Sequence, residues 1–422
     1  MSTPPGRGGV GVLRISGEQA EAAAKHFGFK LPKPRVAALR DLKDDDLILD
    51  QALVIFFPKG ASFTGETVIE FHLHGSIAVR DAVLSKLSNM SGFRIAEPGE
   101  FTRRALENGR MSLSEVEGLA ALIDSETEAQ RQQAQRVVSG ALANLAETWR
   151  TSLVEALALL EVTIDFADED VPVDVGPDVQ RLLESVQNDL NREIAGSKIA
   201  ERVREGFEVA IIGAPNAGKS TLLNALAGRT AALTSDYAGT TRDVIEVRMD
   251  LDGLPVTVLD TAGLRDGQDE VEAMGIQMAI ERANNADIRV FLESEHELPD
   301  VVKLNKGDIK IWGKVDEFPD RKPAVSGITG EGIDELVGRI SAVLLDRAST
   351  IGTATHARHR AAMRIANEHL SEAIDCAGYG EERLELASEE LRRALHALDV
   401  LVGRVDVEAV LDEIFLRVCL GK

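Results

Sequence analysis

Three observations predict a multidomain chain in which an α/β domain is inserted into an all-α helical bundle. The chain has 422 residues, more than one compact core usually holds. Its middle third alternates strand and helix patterns around "VAIIGAPNAGKSTLLNAL", as an α/β domain does. Long Ala-, Leu- and Glu-rich stretches with helical apolar spacing flank that third on both sides. Two such flanks join as one bundle, with the α/β domain seated in one of its connections.

The elements follow in order. Residues 1–112 form a first α/β domain: "VGVLRISG", "QALVIFFP" and "TVIEFHLHG" read as strands bounded by Gly and Pro. Residues 113–205 turn helical, from "SLSEVEGLAALIDSETEAQ" through "EALALLEVTIDF". "DEDVPVDVGPD" breaks the pattern and "VQRLLESVQNDLNREIAGSK" resumes it. Residues 206–345 are the inserted α/β domain, and residues 346–422 are helical again, ending in "VEAVLDEIFLRV".

Composition narrows the function. Apolar content of 44% with 28% charged residues is ordinary for a soluble protein, and no apolar run is long enough for a membrane span. The N-terminus shows no basic-then-apolar signal. The cysteines, Cys376 and Cys419, cannot build a disulfide framework, which fits a reducing, cytoplasmic setting. A net charge of −23 and only 4% aromatics argue against a chain that grips RNA through its own phosphate contacts. Where nucleic acid is involved, another chain is expected to supply much of the grip.

The strongest motif is Gly213-x4-Gly218-Lys219-Ser220, placed after an apolar strand and before a helix. The loop from Asn216 through Ala217 and Gly218 to Thr221 turns its N–H groups toward phosphate oxygens. Lys219 reaches the β/γ-phosphates and the Ser220 hydroxyl ligates Mg²⁺. "SDYAGTTRD" follows, with Thr241 as the second hydroxyl on Mg²⁺, and then "VLDTAGLRD". Asp260 ends an apolar strand where an outer Mg²⁺ carboxylate belongs, and after Thr261 and Ala262, Gly263 is placed to donate its N–H to a γ-phosphate. Such a loop, held by the γ-phosphate and released on hydrolysis, marks a GTPase switch. Leu264 stands where small signalling GTPases hold the glutamine that orients water. Asp269, Glu270 and Glu272 follow as polar candidates, though an acidic run also suits a solvated helix start.

Guanine recognition needs a carboxylate at a strand end, and two places compete. "NKGD" (Asn305, Lys306, Asp308) matches the usual motif to the letter. "WGKVD" (Lys314, Asp316) lacks the Asn but follows the better strand, "DIKIW". Ser326, opening "SGITGEG", begins the last base-contacting loop, with Gly327 where Ala is usual.

At this point "TPPGRGGVGVLRISG", "SFTGETVIEFHLHG", "PGEFTRRALENGR", "GAPNAGKSTLLNALAGR", "AGTTRD", "DTAGLRD" and the terminal "CLGK" resemble, from end to end and in order, the bacterial tRNA modification GTPases of the MnmE (TrmE) family. The resemblance implies a folate-binding N-terminal domain and a GTPase domain inserted in a helical one. It implies a cytoplasmic homodimer that works with the flavoprotein MnmG. Together they place an aminomethyl-type group on C5 of the wobble uridine of certain tRNAs, using a one-carbon unit from 5-formyl- or methylene-tetrahydrofolate. It also implies K⁺-stimulated GTP hydrolysis, with K⁺ held by Asn216 and the Ser235–Thr240 stretch (Ser235, Asp236, Tyr237, Ala238, Gly239, Thr240). In that stretch Ser235, Tyr237 and Thr240 join Asn216 as its ligands, and Glu272 orients the attacking water.

By the same resemblance Arg14, Glu70, Arg110 and the terminal Lys422 contact folate. Arg110 stands where lysine is familiar, which keeps the charge but widens the group. Glu70, His72 and His74 share one strand face at period two, a set that could hold a metal. A carboxylate accepting two hydrogen bonds from a pterin ring is the better reading of Glu70. "CLGK" is a poor prenylation box, and Cys419 reads either as a chemically active thiol or as a small residue packed at a helix end. Relatives carry a strand ahead of "TPPGRGG", where this chain has Met1, so either the start is misassigned or a sheet edge lacks its partner. Two other functions stay open: a nucleotide switch that recruits a partner without one-carbon chemistry, and a ribosome-assembly GTPase of the Era or Der kind.

Overall fold

The computed structural model describes residues 1–4, 6–165, 176–214, 216–229, 246–260, 281–295, 307–379 and 383–405. By residue contacts the chain forms two compact units. One comprises Met1–Ala120, Val138–Arg150 and Leu395–Lys422, the other Ala121–Val137 and Thr151–Ala394.

The first unit is built on an antiparallel sheet of order β1-β4-β3-β2, with β1 at Val10–Ser16, β2 at Ala38–Asp44, β3 at Leu47–Phe57 and β4 at Val68–His74. Alternation decides which face is buried. Leu13 and Ile15 of β1, Phe71 and Leu73 of β4, and Ala52 and Val54 of β3 point to one side. There they pack with Phe27, beside α1 (Ala22–His26), and with Val83 and Leu87 of α2 (Ile77–Ser88). The residues between them, including Arg14, Glu70 and His72, face the other way. Strand β2, "ALRDLKD", is not among the strands expected from sequence: it is an edge strand whose charged residues mask the apolar Leu42 it buries. Helix α3 (Glu100–Glu107) follows. The helical run expected after residue 113 is three helices, α4 (Leu113–Ile123), α5 (Glu128–Val138) and α6 (Ala141–Asp165), the last two parted at Gly140.

The second unit carries a six-stranded sheet of order β10-β9-β8-β5-β7-β6. Its strands are β5 (Phe207–Gly213), β6 (Glu246–Leu251), β7 (Leu254–Asp260), β8 (Ile288–Glu293), β9 (Ile309–Gly313) and β10 (Ala324–Val325). All neighbours are parallel except β6 and β7, which form a hairpin. Central β5 is apolar almost throughout, as a parallel strand covered on both faces should be. Ligands in such sheets bind outside the carboxyl ends of the strands, here the ends at Gly213, Glu293 and Gly313. Helix α8 (Lys219–Ala227) covers one face with Leu222, Leu223 and Leu226, and α9 (Ile333–Ala348) adds Leu336, Ile340 and Leu344.

Helix α7 (Gly176–Glu205), about 45 Å long at 1.5 Å per residue, leads into β5. The chain returns from α9 past α7 before α10 (Ala357–Gly378) and α11 (Leu384–Val402). Arriving and returning segments are fastened together. The Gly352 N–H donates to Gly196 O at 3.2 Å, Thr353 N–H and Oγ1 donate to the Glu193 carboxylate at 2.7 and 2.8 Å, and Arg204 Nε donates to Thr355 O at 3.0 Å. Among the described residues no helix is long and apolar enough to cross a membrane.

Candidate functional site

The phosphate loop joins β5 to α8. Its strand is held centrally between β7 and β8, so the loop leaves the carboxyl end of the sheet at a fixed height. Asn216 takes φ +62° and Gly218 φ +100°, left-handed values that Asn tolerates and Gly accepts freely. They turn the chain so that α8 begins at Lys219 with its first N–H groups and positive dipole end toward the loop. The Lys219 side chain is buried, and Nζ donates to Gly213 O at 2.8 Å and Ala214 O at 3.0 Å. Its charge is thus kept within the loop by carbonyls that a phosphate oxygen can replace. Asn216, Ser220 and Thr221 are exposed on the open side.

Beside the loop a narrow cleft is lined by Ala217, Gly218, Thr221, Lys314, Asp316 and Ser326, with Leu292 and Ile328 as apolar walls. Lys314 follows β9 directly, in the left-handed conformation (φ +58°), and its carbonyl accepts from Glu317 N at 2.9 Å and Phe318 N at 3.1 Å. That tight turn carries Asp316 to the cleft. Ser326 is buried, and its Oγ accepts from Ile328 N (3.2 Å) and Thr329 N (3.1 Å), which orders the last loop. Gly313 explains the missing Asn: a Cβ there would lie 2.4 Å from Ala217 O, so no side chain fits between β9 and the phosphate loop. Gly327 is similarly pressed against the backbone of Thr221.

Asp308 lies elsewhere. It precedes β9 at the amino end of the sheet, roughly 17 Å of strand from Gly313. Its carboxylate makes a bidentate pair with buried Arg289 at 2.7 and 2.9 Å. The literal "NKGD" therefore does not bring its carboxylate to the cleft; Asn305 and Lys306 lie outside the described residues. So do Ser235, Asp236, Tyr237, Ala238, Gly239, Thr240, Thr241, Thr261, Ala262, Gly263 and Glu272. Asp260 is seen only as the end of β7, beside Ile211 of β5.

In the first unit, Arg14 and Glu70 are cross-strand partners in the β1/β4 register. Arg14 Nε meets Glu70 Oε1 at 2.6 Å, and His72 Nε2 lies 3.3 Å from Oε2. His74 does not join them: its ring and backbone N–H turn to buried Asp50 at 2.6 and 2.9 Å. Arg110 is anchored by its N–H on Ala105 O at 2.7 Å. Its side-chain stem lies against the Gly65 turn. A cavity of about 800 Å³ flanks β1, walled by Arg14, Arg80, Leu84, Phe93 and Phe101. Cys419 and Lys422 lie outside the described residues.

The family described as "GTP-binding protein TrmE N-terminus" matches residues 1–110, and that described as "MnmE helical domain" matches residues 113–419. A protein of Roseobacter denitrificans named "tRNA modification GTPase MnmE" is 56% identical over all of this chain and 99% of its own length. A protein of the same name from Cereibacter sphaeroides is 57% identical with the same coverage, and one from Paracoccus denitrificans is 47% identical over 100% of this chain and 98% of its own. Among solved structures, Era of Aquifex aeolicus bound to GDP·AlF₄⁻ covers 46% of this chain and 89% of its own at 22% identity and a TM-score of 0.25. Similarity of this extent to proteins of one name, together with both domain matches, shows that the chain belongs to the MnmE (TrmE) family of tRNA modification GTPases.

Proposed function

We propose that this chain is a cytoplasmic, K⁺-stimulated GTPase that acts as a homodimer with the flavoprotein MnmG. The pair modifies C5 of the wobble uridine of certain tRNAs with an aminomethyl-type group. The observation that carries the reading is full-length similarity to relatives named tRNA modification GTPase MnmE, on a chain whose phosphate loop opens beside a narrow cleft lined by Lys314, Asp316 and Ser326.

The residues divide the work. Lys219 moves from its loop carbonyls to the β/γ-phosphates, where it offsets charge building up as water attacks the γ-phosphorus and the bond to the β-phosphate breaks. Exposed Ser220, at the start of α8, and Thr241 suit Mg²⁺ as hydroxyl ligands. Asn216, exposed at the loop tip, suits K⁺ together with Ser235, Tyr237 and Thr240. Glu272 orients the attacking water in place of the glutamine that Leu264 replaces. Asp316 accepts two hydrogen bonds from the guanine edge. Arg14, Glu70, Arg110 and Lys422 hold a tetrahydrofolate whose one-carbon unit feeds the modification. The polarised, partly exposed Arg14–Glu70 pair fits such a ring, since the carboxylate can exchange one partner for pterin N–H groups. The boundaries at residues 112, 205 and 345 separate the folate-binding, helical and GTPase domains in this reading.

Two measurements test it. GTP turnover by the full-length protein should be several-fold or more faster in K⁺ than in Na⁺ at equal ionic strength; equal rates would remove the K⁺ assignment. Mass analysis of wobble uridine from a strain lacking the gene should show loss of the C5 substituent, and an unchanged nucleoside would remove the modification reading.

A further inference from the structure

Position 313 cannot carry the Asn that ordinarily ties a guanine-reading turn to its neighbours, because a Cβ there would meet Ala217 O at 2.4 Å. The turn still has to be held. Lys314 sits in the left-handed region, which a non-Gly residue adopts only at a cost. Asp316 itself is exposed. Backbone bonds close the turn on itself, through Glu317 N and Phe318 N to Lys314 O, and Val315 N reaches Val325 O at 3.3 Å. Trp312 N also donates to Pro323 O at 2.9 Å, so backbone bonds hold both ends of the turn, and side chains add to them along its outer side, from Asp316 to Pro323.

One side chain spans that outer side. The Arg321 guanidinium lies over the Trp312 ring at 4.2 Å and over the Phe318 ring at 4.5 Å. Trp312 is the last side chain of β9 before the turn, and Phe318 comes two residues after Asp316, so the two rings bracket the reader. Arg321 Nη2 also donates to Glu295 at 3.1 Å, just past β8, and the Arg321 N–H donates to Phe318 O at 3.3 Å. A guanidinium held on two ring faces is a rigid brace, drawn to each face by the ring quadrupole.

We propose that Arg321 is a positioning residue for base recognition: clamped between Trp312 and Phe318, it takes over the bracing that Gly313 cannot supply and holds Asp316 on the guanine edge. The inference rests on the reading of Asp316 as the guanine acceptor. It concerns selectivity rather than chemistry, because the phosphate loop is carried by β5 and α8.

The test compares GTP with ITP, which lacks the exocyclic 2-amino group that a carboxylate at this edge accepts from, on the full-length protein. Arg321→Ala should reduce the GTP/ITP affinity ratio about tenfold, or about 1.4 kcal/mol, through a higher KM for GTP. The kcat at saturation should stay within about twofold. Phe318→Leu, which removes one ring and no charge, should reduce the ratio in the same direction, and Arg321→Lys should restore part of it. If GTP and ITP weaken equally in both Arg321→Ala and Phe318→Leu, the brace is only structural and the inference is overturned. Asp316→Asn separates this from the reading beneath it. A switch of preference to XTP supports Asp316 as the acceptor, whereas intact guanine preference removes that reading and the inference with it.

Discussion

At Glu100 one carboxylate collects donors from three sides. Arg94 reaches it bidentately at 2.6 and 2.8 Å, the Glu97 N–H at 2.9 Å and Arg104 at 2.6 Å. Arg104 continues to Glu66 at 2.8 Å, and Glu66 to Ser16 of β1 at 2.7 Å. Burial opposes ionisation of Glu100, but the hydrogen bonds from Arg94, the Glu97 backbone and Arg104 outweigh it and hold the carboxyl at about 2, below its ordinary 4.5. A carboxyl depressed on folding adds stability above its ordinary value, and that stability is lost as pH falls from about 4.5 toward about 2. Glu100→Gln should therefore destabilise the N-terminal domain by about 2 kcal/mol at pH 7. Thermal unfolding of variant and wild type should converge only near pH 2. A gap that is the same at both pH values would mean the carboxylate charge is not what stabilises the site. The sequence "FRIAEPGEFTRR" contains all but one of these charges, but their convergence depends on a turn that places Arg94 and Arg104 around one acceptor.

At the scale of the element, α7 shows how a contact reverses a propensity. A helical Gly→Ala change normally stabilises by about 1 kcal/mol. At Gly196, however, a Cβ would lie 2.6 Å from Gly352 N and 2.8 Å from Thr350 O, both backbone atoms of the returning chain. That chain is itself pinned by Glu193 on Thr353, so it cannot step aside at low cost. Gly196→Ala should then cost about 2 kcal/mol or more, seen as a lower midpoint in urea unfolding; a raised midpoint would mean that the crossing is loose. A few residues on, half-buried Asp287 pairs with Arg202 at 3.1 Å and accepts from Glu208 N at 2.8 Å. Its carbonyl takes Arg347 at 2.7 Å. Burial pushes the Asp287 carboxyl up, against these donors. The inserted domain is thus mounted on α7 by specific bonds rather than by a tether. The helical pattern of "VQRLLESVQNDLNREIAGSK" was legible from spacing alone. The crossing at Gly196 was not, since its partner lies more than 150 residues away in sequence.

For the whole molecule, the proposed division of labour puts nucleotide chemistry and one-carbon chemistry in different domains. Deleting Cys419–Lys422 should therefore abolish wobble-uridine modification while GTP turnover stays within about twofold. Cys419→Ser and Lys422→Ala would then assign the loss to the thiol or to the charge. Full modification by the shortened protein would reduce "CLGK" to a helix end. The charge of −23 belongs to the same division, because it suits a protein that leaves most of the phosphate contact with tRNA to its partner.

What the sequence determined by itself is what neighbours along the chain can specify. Strand, loop, lysine, hydroxyl and helix are consecutive in "VAIIGAPNAGKST", so local geometry alone makes a phosphate cradle. That Glu70 and His72 share one strand face follows from a period of two, whereas the β1/β4 register that sets Arg14 opposite Glu70 does not. The tertiary structure decided what depends on sheet order. Asp308 and Asp316 are eight positions apart in sequence, and both flank the short strand β9. Which of them approaches the phosphate loop depends on the direction of β9 beside β8 and β5, a property of the assembled sheet that no local motif encodes. Parallel packing places Asp316 at the carboxyl end and pairs Asp308 with Arg289 at the other, because a buried carboxylate at the amino end needs a cation there.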